Sequence, residues 1–477
     1  MASANVSLAA AEAQIEARSA VLRKELGITD LVLAQILLVV VPEFFATAVK
    51  AGSSHVVLWL LAMVLFFIPQ ALVVSHLNRL MPLEGGLYEW ARLAFNDQIG
   101  FLVAWNVWLT VTLQVAQIGL VTMTYVSYAI GPQAAWVASN KWFLVAASFG
   151  LIAGMMFVAR LGLSVGKWVS NAGSAFTVVT IGALAVMPFG LFWHGTLSDY
   201  HPLRLVSPSP SVFSLSVFSK MTFGALSGFE LVAIFAGESR SPGRNIARSI
   251  LFTAPIIALL YILGTSSILA FVSPDAVDVI GPIPQALSLE FRSFGFAGIL
   301  VPCAILLLLA NYLCSYTLYF SANTRLPMVA GWDHLLPGWF TRLHTKYKTP
   351  VNSILFMGGV ALVASVAVLI GVGEQEAFAQ LQIWTWAFYG LAYLAMFAIP
   401  LLARKDRGIR PGRWLRVAAS SGFLVTLVFV LLAVVPIVHV ESVPAYAWKT
   451  AAVLIGTNAL GAMLYHTGRR RAAHGRE

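Results

Sequence analysis

Long apolar segments separated by short polar loops run through the whole chain. Each is long enough to cross the hydrocarbon core of a bilayer as a helix, which needs about 17–25 residues. The strict alternation that marks the strands of a membrane β-barrel is absent. The pattern therefore predicts an all-α polytopic membrane protein. Its transmembrane helices, called spans 1–12, number about twelve and fall at about 28–49, 56–77, 99–130, 142–160, 168–192, 212–237, 249–272, 298–322, 351–372, 378–402, 415–438 and 446–466.

The composition agrees with this prediction. Hydrophobic residues make up 59% of the chain and charged residues only 10%, whereas about a quarter of a soluble domain is charged. The net charge is +10, but the basic residues lie in the loops between the apolar segments. We therefore expect the lipid bilayer as the surroundings of this chain and no nucleic acid as a partner.

The distribution of lysine and arginine predicts the orientation. The N-terminal arm, the even-numbered loops and the C-terminal tail hold 24 of the 30 basic residues, and the opposite face holds the other 6. Cytoplasmic loops carry an excess of this kind. We expect an integral protein of the plasma (inner) membrane with both termini in the cytoplasm.

The cysteines and histidines show no pattern of a metal or haem site. The two cysteines, Cys303 and Cys314, lie on one predicted helix. Their spacing corresponds to a rise of about 16 Å, which is too far for a disulfide within that helix. The nine histidines are scattered. We expect no metal, no cofactor and no catalytic residues.

Glycines interrupt span 6. Gly224 and Gly228 flank Ala225–Ser227, and Glu230 follows in the same apolar segment. An interrupted helix leaves backbone groups unpaired, which is tolerated at membrane depth only where the backbone is buried in protein or lines a cavity. Such a break indicates a binding site in a transporter. The alternative is an unbroken glycine-rich helix that packs closely on a neighbour.

Span 1 carries a second predicted break. Pro42 and Glu43 follow the apolar run Leu31–Val41. Proline removes a backbone donor and clashes with the preceding turn. A carboxylate inside the membrane is a functional-site candidate by default. The alternatives are a plain kink at Pro42 and a glutamate that reaches the outer interface.

The two breaks fall at matching places in two sets of five spans. The first lies about fourteen residues into span 1 and the second about twelve residues into span 6. Matching breaks in two halves of odd span number indicate inverted repeats that meet at a central site. The predicted organisation is a cytosolic arm (1–27), a core (28–402) with its two repeats, a basic loop with two extra helices, and a cytosolic basic tail. The repeats cover 28–192 and 212–402, the loop and extra helices 403–466, and the tail 467–477.

Short motifs stand at the ends of several spans. They are Glu84-Gly85-Gly86-Leu87-Tyr88, Phe223–Glu230, Glu238–Pro242 with Arg244, Ile246 and Arg248, Ala322-Asn323-Thr324-Arg325-Leu326 with Gly331, Leu336-Pro337, and Thr349-Pro350-Val351-Asn352. In this order and at these boundaries the chain resembles the APC (amino acid–polyamine–organocation) superfamily over most of its length. The resemblance implies a LeuT-like five-plus-five inverted-repeat fold with discontinuous helices 1 and 6, two additional C-terminal helices, and alternating access around a midplane site.

The resemblance also implies a set of substrate-binding residues. In that family the α-carboxylate of the substrate docks on backbone N–H groups of a glycine-rich break in span 1, and its ammonium group meets carbonyls of the span 6 break. By this analogy, and with polar side chains of spans 3 and 8 added, the candidates are Val41, Pro42, Glu43, Phe223, Gly224, Ala225, Leu226, Ser227, Gln114 and Asn311.

The chain departs from that family in span 1. Val41-Pro42-Glu43 stands where the relatives have Gly-x-Gly. Pro42 has no N–H, and the Glu43 carboxylate repels a substrate carboxylate unless it is protonated or paired. This favours a substrate with extra positive charge, or Glu43 as the group that couples transport to protons. An aromatic side chain usual in the span 6 break is absent, and Phe223 and Phe229 are the neighbouring substitutes.

Two further charged residues are candidates for coupling or gating, together with Glu43 and Phe229. The functional roles predicted for Glu230 are to anchor the unwound backbone or to exchange a proton. The alternative is that it only accepts hydrogen bonds from freed N–H groups. Lys220, on the outer part of span 6, is a candidate partner of Glu43. For Gln114 and Asn311 the alternative to lining the cavity is hydrogen bonding between helices. Trp384, Trp386 and Tyr389 form either an outer gate or ordinary aromatic packing.

The residues and the resemblance together predict a secondary active permease for amino acids or related amines, coupled to protons or working as an exchanger. The chain has no phosphate-binding loop of the Walker type, so ATP is not its direct energy source. A polyamine or organic-cation carrier is the alternative, favoured by Glu43 and Glu230. A membrane enzyme or a receptor is a remote alternative, because no convergent acid, base or metal residues stand out.

Overall fold

The computed structural model describes residues 40–80, 86–161, 202–230, 242–290, 297–324, 338–345, 349–402 and 411–474, together with 32, 36, 179–186, 188–189, 193, 327 and 347. Within these residues the regular structure is helical, and no strand occurs. The predicted arm at 1–27, ten of the 22 residues of span 1, most of span 5 and all of residues 403–410 in the basic loop lie outside the described residues. So do Glu84, Gly85, Glu238 and Arg325.

The helices follow the predicted spans. They are α1 (Phe44–Val49), α2 (His55–Ala62), α3 (Ile68–Leu80), α4 (Gly86–Ala94), α5 (Asp97–Ala116), α6 (Ile118–Ile130), α7 (Ala135–Ser139), α8 (Lys141–Leu161), α9 (Val212–Leu226), α10 (Pro242–Phe271), α11 (Pro282–Glu290), α12 (Ala297–Asn323), α13 (Val351–Val368), α14 (Glu374–Leu402), α15 (Arg413–Leu431) and α16 (Val443–His474). A π-helical turn, Met63–Phe67, joins α2 to α3.

Eight helical segments of the described chain are long and apolar enough to cross a membrane. They correspond to predicted spans 2, 3, 4, 7, 8, 9, 10 and 11. The helix α9, the described part of span 6, is shorter, with 15 residues. The helix α16 continues to His474, past the predicted end of span 12 at 466. Its last turns contain arginine and alanine, which favour a helix, and the positive charges suit the C-terminal end of the helix dipole.

One predicted span contains a kink. Span 3 was expected as one helix over 99–130, and the structure divides it into α5 and α6 at Gln117. The N–H of Gln117 donates to the carbonyl of Gln114 at 3.3 Å, one residue short of the α-helical pattern. The buried side chain of Gln117 donates to Thr385 Oγ1 of α14 at 3.2 Å. Gln117 thus makes a hydrogen bond between helices, the alternative that was given for Gln114 on the same span.

The core of the bundle is built around α14, which packs against α5 and α15. Its inward face is aromatic, and Phe388 and Tyr393 have no exposed surface. Phe223 of α9 stacks on Phe429 of α15 with ring centroids 4.5 Å apart. Large rings bury more apolar area than any other side chain. They therefore hold together helices that are distant in sequence.

The loops gather at two ends of the bundle. At one end, Tyr128 donates to Asp278 at 2.9 Å and Gln375 donates to the same carboxylate at 2.9 Å. This end also carries residues 50–54 and 432–442, and is called the Asp278 face. At the other end, the side chain of Thr349 donates to the carbonyl of Arg160 at 2.9 Å. This end is called the Arg160 face.

Candidate functional site

The predicted break in span 1 is present. The N–H of Val40 still donates to the carbonyl of Ile36 at 2.9 Å, but the backbone then leaves the helix. A new helix, α1, starts at Phe44, whose N–H reaches the carbonyl of Val41 at 3.2 Å. Pro42 supplies no N–H at this point, so the helical hydrogen-bond ladder is interrupted there. The break exposes the backbone of Val40–Glu43 to the neighbouring helices.

The predicted break in span 6 is present as well. The helix α9 ends at Leu226, and Ser227 is extended. Gly228 has φ +103°, a conformation that glycine adopts without strain and that other residues rarely adopt. Phe229 and Glu230 then form a tight 3-10 turn. Glycine at position 228 is thus required by the backbone and not only by packing.

One tyrosine hydroxyl joins the two breaks. Tyr261 of α10 accepts the N–H of Val41 at 2.9 Å and donates to the carbonyl of Ala225 at 3.1 Å. Both backbone groups are left over where a helix is interrupted, and each costs free energy if it stays unpaired. The ring of Tyr261 stacks on Trp59 at 4.4 Å, which fixes its position. Tyr261 therefore supplies a hydrogen-bond partner to a free backbone group at each break.

Side chains of α3 and α14 satisfy the remaining groups of the span 6 break. With its amide oriented to suit its neighbours, Gln70 donates to the carbonyl of Leu226 at 3.0 Å and accepts the N–H of Phe229 at 3.2 Å. The N–H of Gly228 donates to the hydroxyl of Tyr393 at 2.7 Å. All the groups of this break that are named here are buried. The break is therefore a built feature with its own dedicated partners.

Glu230 belongs to this anchoring network. Its side chain is 3% exposed, and its two carboxylate oxygens accept hydrogen bonds from the hydroxyls of Tyr389 and Tyr393. A buried carboxylate is stable when such donors surround it. Glu230 is not among the residues that line the cavity described below. These tyrosine contacts hold Glu230 beside the unwound backbone, and its predicted roles stay predictions.

An open cleft, with about 480 Å³ of atom-free space that includes the solvent at its mouth, lies between the span 1 break and the Asp278 face and is called the cavity. Its walls come from α1, α9, α14, α15 and α16 and from the loops at 279 and 437–438. They are formed by Glu43, Phe44, Thr47, Lys220, Val279, Phe378, Ala379, Gln382, Ile383, Trp386, Phe429, Ile437, Val438 and Tyr446. The walls are largely apolar and aromatic, with one acidic and one basic side chain, as is typical of sites for small molecules.

Glu43 is the acidic group of this cavity. Its side chain is 4% exposed, and its Oε2 atom has no hydrogen-bond partner among the described residues. The hydroxyls of Tyr125, Tyr261 and Tyr316 lie within electrostatic range of the carboxylate. A buried charge without a counter-charge costs several kcal/mol. Among the described residues, no cation within 4.0 Å offsets the charge of the Glu43 carboxylate.

Lys220 is the basic group. Its Nζ donates to Ser216 Oγ at 2.7 Å and to the carbonyl of Val435. The predicted direct pairing with Glu43 is not present: within the described part of the chain the one ion pair within 4.0 Å joins Arg92 to Glu89. Lys220 instead turns towards its own helix and the loop that follows α15. One oxygen from each of them accepts a hydrogen bond from Nζ, so two of its three donors are used.

Most of the predicted substrate-binding residues lie beside this cavity and not in its walls. A Cβ atom on Gly224 would overlap the ring of Phe44, so the two broken segments touch directly. Val41, Pro42, Gln114 and Asn311 also stand outside the walls, as do Phe223, Ala225, Leu226, Ser227 and Phe229. Their roles in substrate binding stay predictions. Of the sequence candidates, Glu43, Lys220 and Trp386 line the cavity.

The other walls of the cavity were not predicted from the sequence. Phe44 follows directly on the break, and its ring meets Trp386 at 5.1 Å in an edge-to-face contact. Phe378, Phe429 and Tyr446 come from three different helices. Each of these side chains has the pattern of an ordinary core position in its own helix. Only the packing of the helices brings them together.

A sequence profile described as amino acid permease matches residues 27–458, which is most of the chain. The chain belongs to this family. The permease is thus a secondary transporter of amino acids or related amines and not an enzyme, as the motifs predicted. The prediction of an APC superfamily member is confirmed.

Individual relatives carry several activities. The permease is 26% identical to an uncharacterised transporter of Legionella pneumophila, over 82% of this chain and 83% of the relative. It is 26% identical to a probable agmatine/putrescine antiporter of Lactococcus lactis, over 52% of each chain. It is 21% identical to an aspartate/glutamate permease of Lactococcus lactis, over 84% of this chain and 85% of the relative.

A solved structure supports the fold. The structure of MhsT in complex with L-phenylalanine matches with a TM-score of 0.58 at 13% identity, over 84% of the permease and 97% of MhsT. At this identity the likeness shows the fold alone. It confirms the predicted LeuT-like fold.

Proposed function

We propose that this permease moves an amino acid or related amine across the plasma membrane by alternating access, in exchange for or together with protons, and that Glu43 binds the amino group. Both termini would lie in the cytoplasm, so that the Asp278 face is the outer face. The lysine and arginine distribution supports this orientation. A reporter that is active only in the cytoplasm should be active when it is fused after His474. An inactive fusion of this kind, with a signal from a reporter that works only outside, would contradict the proposed topology.

The observation that carries the proposal is the state of Glu43. Its carboxylate lies at the break of a membrane helix, is 4% exposed, and leaves Oε2 without a partner. Such a group is stable as an ion only beside a cation, and otherwise as a neutral acid. An ammonium group of the solute and a proton are the two charges that satisfy it. Their alternation at one carboxylate is the basis of coupling.

The span 1 backbone supports an amine-directed site. The N–H of Val41 is already bonded to the Tyr261 hydroxyl at 2.9 Å, and Pro42 has no N–H to offer. The carboxylate of Glu43 stands at the next position. A solute carboxylate therefore finds no free backbone donor at Val41 or Pro42. A positively charged amino group finds a buried acceptor next to them.

The proposed cycle follows from these charges. With the cavity open to the Asp278 face, an ammonium group displaces the proton on Glu43. Closure brings the aromatic walls together, and the helices then separate on the Arg160 face. Release of the solute leaves a carboxylate that must be neutralised before it returns through the low-dielectric interior, because an unpaired buried charge costs several kcal/mol. Glu43 then takes a proton on the Arg160 face, where the solute was released, and carries it back to the Asp278 face. The cycle thus exchanges a solute for a proton.

A polyamine or organic-cation carrier is the second candidate. The observation that favours it is again the acidic residue at the break, together with the similarity to a probable agmatine/putrescine antiporter over half of the chain. A diamine would place one ammonium group at Glu43. Its second ammonium group would need another acidic partner on the cavity wall.

Uptake into proteoliposomes, with and without an imposed pH gradient, tests the proposal. The panel contains neutral, acidic and basic amino acids, agmatine and putrescine. We expect Glu43→Gln to abolish accumulation driven by the pH gradient, because the amide cannot carry a proton. Exchange of internal for external solute remains measurable, because the amide carbonyl still accepts a hydrogen bond from the amino group. The loss of affinity is about 30-fold or more, as expected when one partner of a buried charge contact is removed.

Glu376→Gln is the matched control. Glu376 is also a buried glutamate, 5% exposed, but it accepts the N–H of Glu441 at 3.0 Å and lies outside the cavity walls. We expect this variant to keep gradient-driven accumulation. Unchanged accumulation by the Glu43→Gln protein would remove Glu43 from the coupling role.

A further inference from the structure

The charge of Lys220 has no counter-charge among its contacts. The side chain is 4% exposed. Its two hydrogen-bond partners, Ser216 Oγ and the carbonyl of Val435, are both neutral. A lysine ammonium has three donors, so one is left over after these two bonds. No carboxylate of the described residues lies within 4.0 Å of Nζ.

Lys220 is on the wall of the cavity that also holds Glu43. The two side chains belong to the two interrupted segments, Glu43 at the start of α1 and Lys220 in α9. Gln382 is the one uncharged polar amide among the wall residues, and most of the others are apolar or aromatic. Among its described wall residues the cavity thus has one negative side chain, one positive side chain and a remainder that is mostly apolar or aromatic.

The electrostatics of such a cavity select its occupant. Each buried charge is costly by itself, and removing or omitting one partner of a buried pair leaves the other uncompensated. A zwitterion brings an ammonium group for Glu43 and a carboxylate for Lys220. A diamine satisfies Glu43 but places its second positive charge in a cavity that already contains an ammonium group, which is destabilising in a low dielectric.

We propose that Lys220 binds the carboxylate of the solute and thereby makes the permease selective for zwitterionic amino acids with apolar or aromatic side chains over amines that lack a carboxylate. The inference rests on the proposed role of Glu43 as the site of the amino group. In this arrangement the carboxylate is bound by a side chain of span 6, and the backbone of span 1 is not needed for it. Phe44, Phe378 and Trp386 enclose the side chain of the solute.

A structural role for Lys220 makes a different prediction. The bond from Nζ to the carbonyl of Val435 connects α9 to the loop after α15. If this connection were its only role, removal of the ammonium group would weaken the protein for every solute alike. Binding of a carboxylate predicts instead a loss that depends on whether the solute has a carboxylate.

The experiment compares matched pairs of solutes that differ only in the carboxylate. Phenylalanine is paired with phenethylamine and leucine with isoamylamine, and putrescine is added. Initial uptake into proteoliposomes is measured for the wild type, Lys220→Gln, Lys220→Arg and the control Lys50→Gln. Lys50 is half-buried at the end of α1, on the Asp278 face but outside the cavity walls.

We expect the wild type to prefer each amino acid to its amine by about tenfold or more in KM, the ratio that corresponds to one lost charge-assisted contact. The Lys220→Gln variant loses this preference, with a KM for the amino acid raised about tenfold and a KM for the amine unchanged or lowered. The Lys220→Arg variant keeps part of the preference, because it retains the charge. The Lys50→Gln variant behaves as the wild type.

Several results would overturn the inference. One is a wild type that transports the amines or putrescine as well as the amino acids, a comparison that needs no variant. Another is a Lys220→Gln protein whose KM rises equally for both members of a pair. A third is amino acid uptake that stops when chloride is replaced by gluconate, because Lys220 would then hold an inorganic anion.

These results are separate from the test of the proposed function. Efficient transport of amines that is lost in Glu43→Gln would uphold the role of Glu43 and refute that of Lys220. Unaltered coupling in Glu43→Gln, combined with loss of carboxylate preference in Lys220→Gln, would uphold Lys220 and refute Glu43.

Discussion

Two buried glutamates stand at the two helix breaks, and they differ in their partners. Glu230 is 3% exposed, and two tyrosine hydroxyls donate to its carboxylate. Glu43 is 4% exposed and has an oxygen without a partner on the wall of a cavity. The same residue type therefore has hydrogen-bond donors at both oxygens at one break, and an oxygen without a described partner at the other.

Hydrogen-bond partners, and not depth or residue type, separate an anchor from a binding group. A carboxylate whose hydrogen bonds are complete has nothing left with which to bind a solute. A carboxylate with an unpaired oxygen is poised for a ligand, because the ligand relieves a cost that the fold leaves in place. Three variants, described below, examine the two breaks in addition to the substitutions at Glu43 and Lys220.

The largest effect on stability is expected at the Glu230 anchor. Replacing both Tyr389 and Tyr393 by phenylalanine removes both hydroxyl donors to this buried carboxylate and the acceptor for the Gly228 N–H. We expect the free energy of unfolding to fall by about 3–5 kcal/mol, as when a buried charge loses its partner. The measurement is equilibrium unfolding in mixed micelles. Tyr319→Phe, at a position 39% exposed, is the control.

In the same experiment Glu43→Gln should leave stability unchanged or raise it, because it removes a buried charge that has no partner. A double tyrosine variant as stable as the wild type would show that Glu230 is not held by these hydroxyls. The contrast between anchor and binding group would then fail.

A smaller effect is expected at the hydroxyl that joins the two breaks. Tyr261→Phe leaves the N–H of Val41 and the carbonyl of Ala225 unpaired, at about 1–3 kcal/mol for each buried group. The predicted loss of stability is about 2–4 kcal/mol, because water entering the cavity satisfies part of the demand. Hydrogen exchange should increase at Val41 and in the last turn of α9.

Tyr128→Phe is the matched control for this prediction. Tyr128 donates to Asp278 at 2.9 Å at the edge of the bundle, far in sequence from both breaks. Its loss should leave exchange at Val41 unchanged. Equal protection of Val41 in the Tyr261→Phe and wild-type proteins would show that the break is closed by other contacts.

The smallest effect is expected where the two broken segments touch. A Cβ atom on Gly224 would overlap the Phe44 ring, so Gly224→Ala forces that ring to move. Such overpacking costs about 1–3 kcal/mol, and displacement of Phe44 should raise KM, because the ring is part of the cavity wall. Gly154→Ala in α8, where a Cβ meets no atom within 4 Å, should be neutral. A Gly224→Ala protein with unchanged stability and unchanged KM would mean that Gly224 and Phe44 are not tightly packed.

The sequence was sufficient to predict the breaks but not their partners. Pro42 and Gly228 act locally, through a missing donor and a positive φ, and both effects are visible in the residue itself. Tyr261 and Gln70 act at a distance, and nothing in their own surroundings marks them: each lies in an apolar segment like many other polar residues of this chain. Their roles follow from the packing of helices.

The candidate site was predicted in part for the same reason. Glu43 was found because a carboxylate in an apolar segment is rare and costly. Lys220 was found by its charge but was given the wrong partner, since its reach towards Ser216 and the loop at Val435 depends on where α15 ends. Phe378 and Tyr446 have no feature that separates a wall of a cavity from a core position.

The π-helical turn Met63–Phe67 determines which way Gln70 points. A π turn adds one residue to a helix, and one residue of an α-helix corresponds to a rotation of about 100°. Across this turn the outward side chains Leu60, Val64, Ile68 and Leu72 repeat every four residues, and not every 3.6. A regular helix would turn its later residues away from the bundle, and Gln70 with them. The extra residue keeps one strip of α2 and α3 against lipid and holds the amide of Gln70 at the interrupted backbone of span 6.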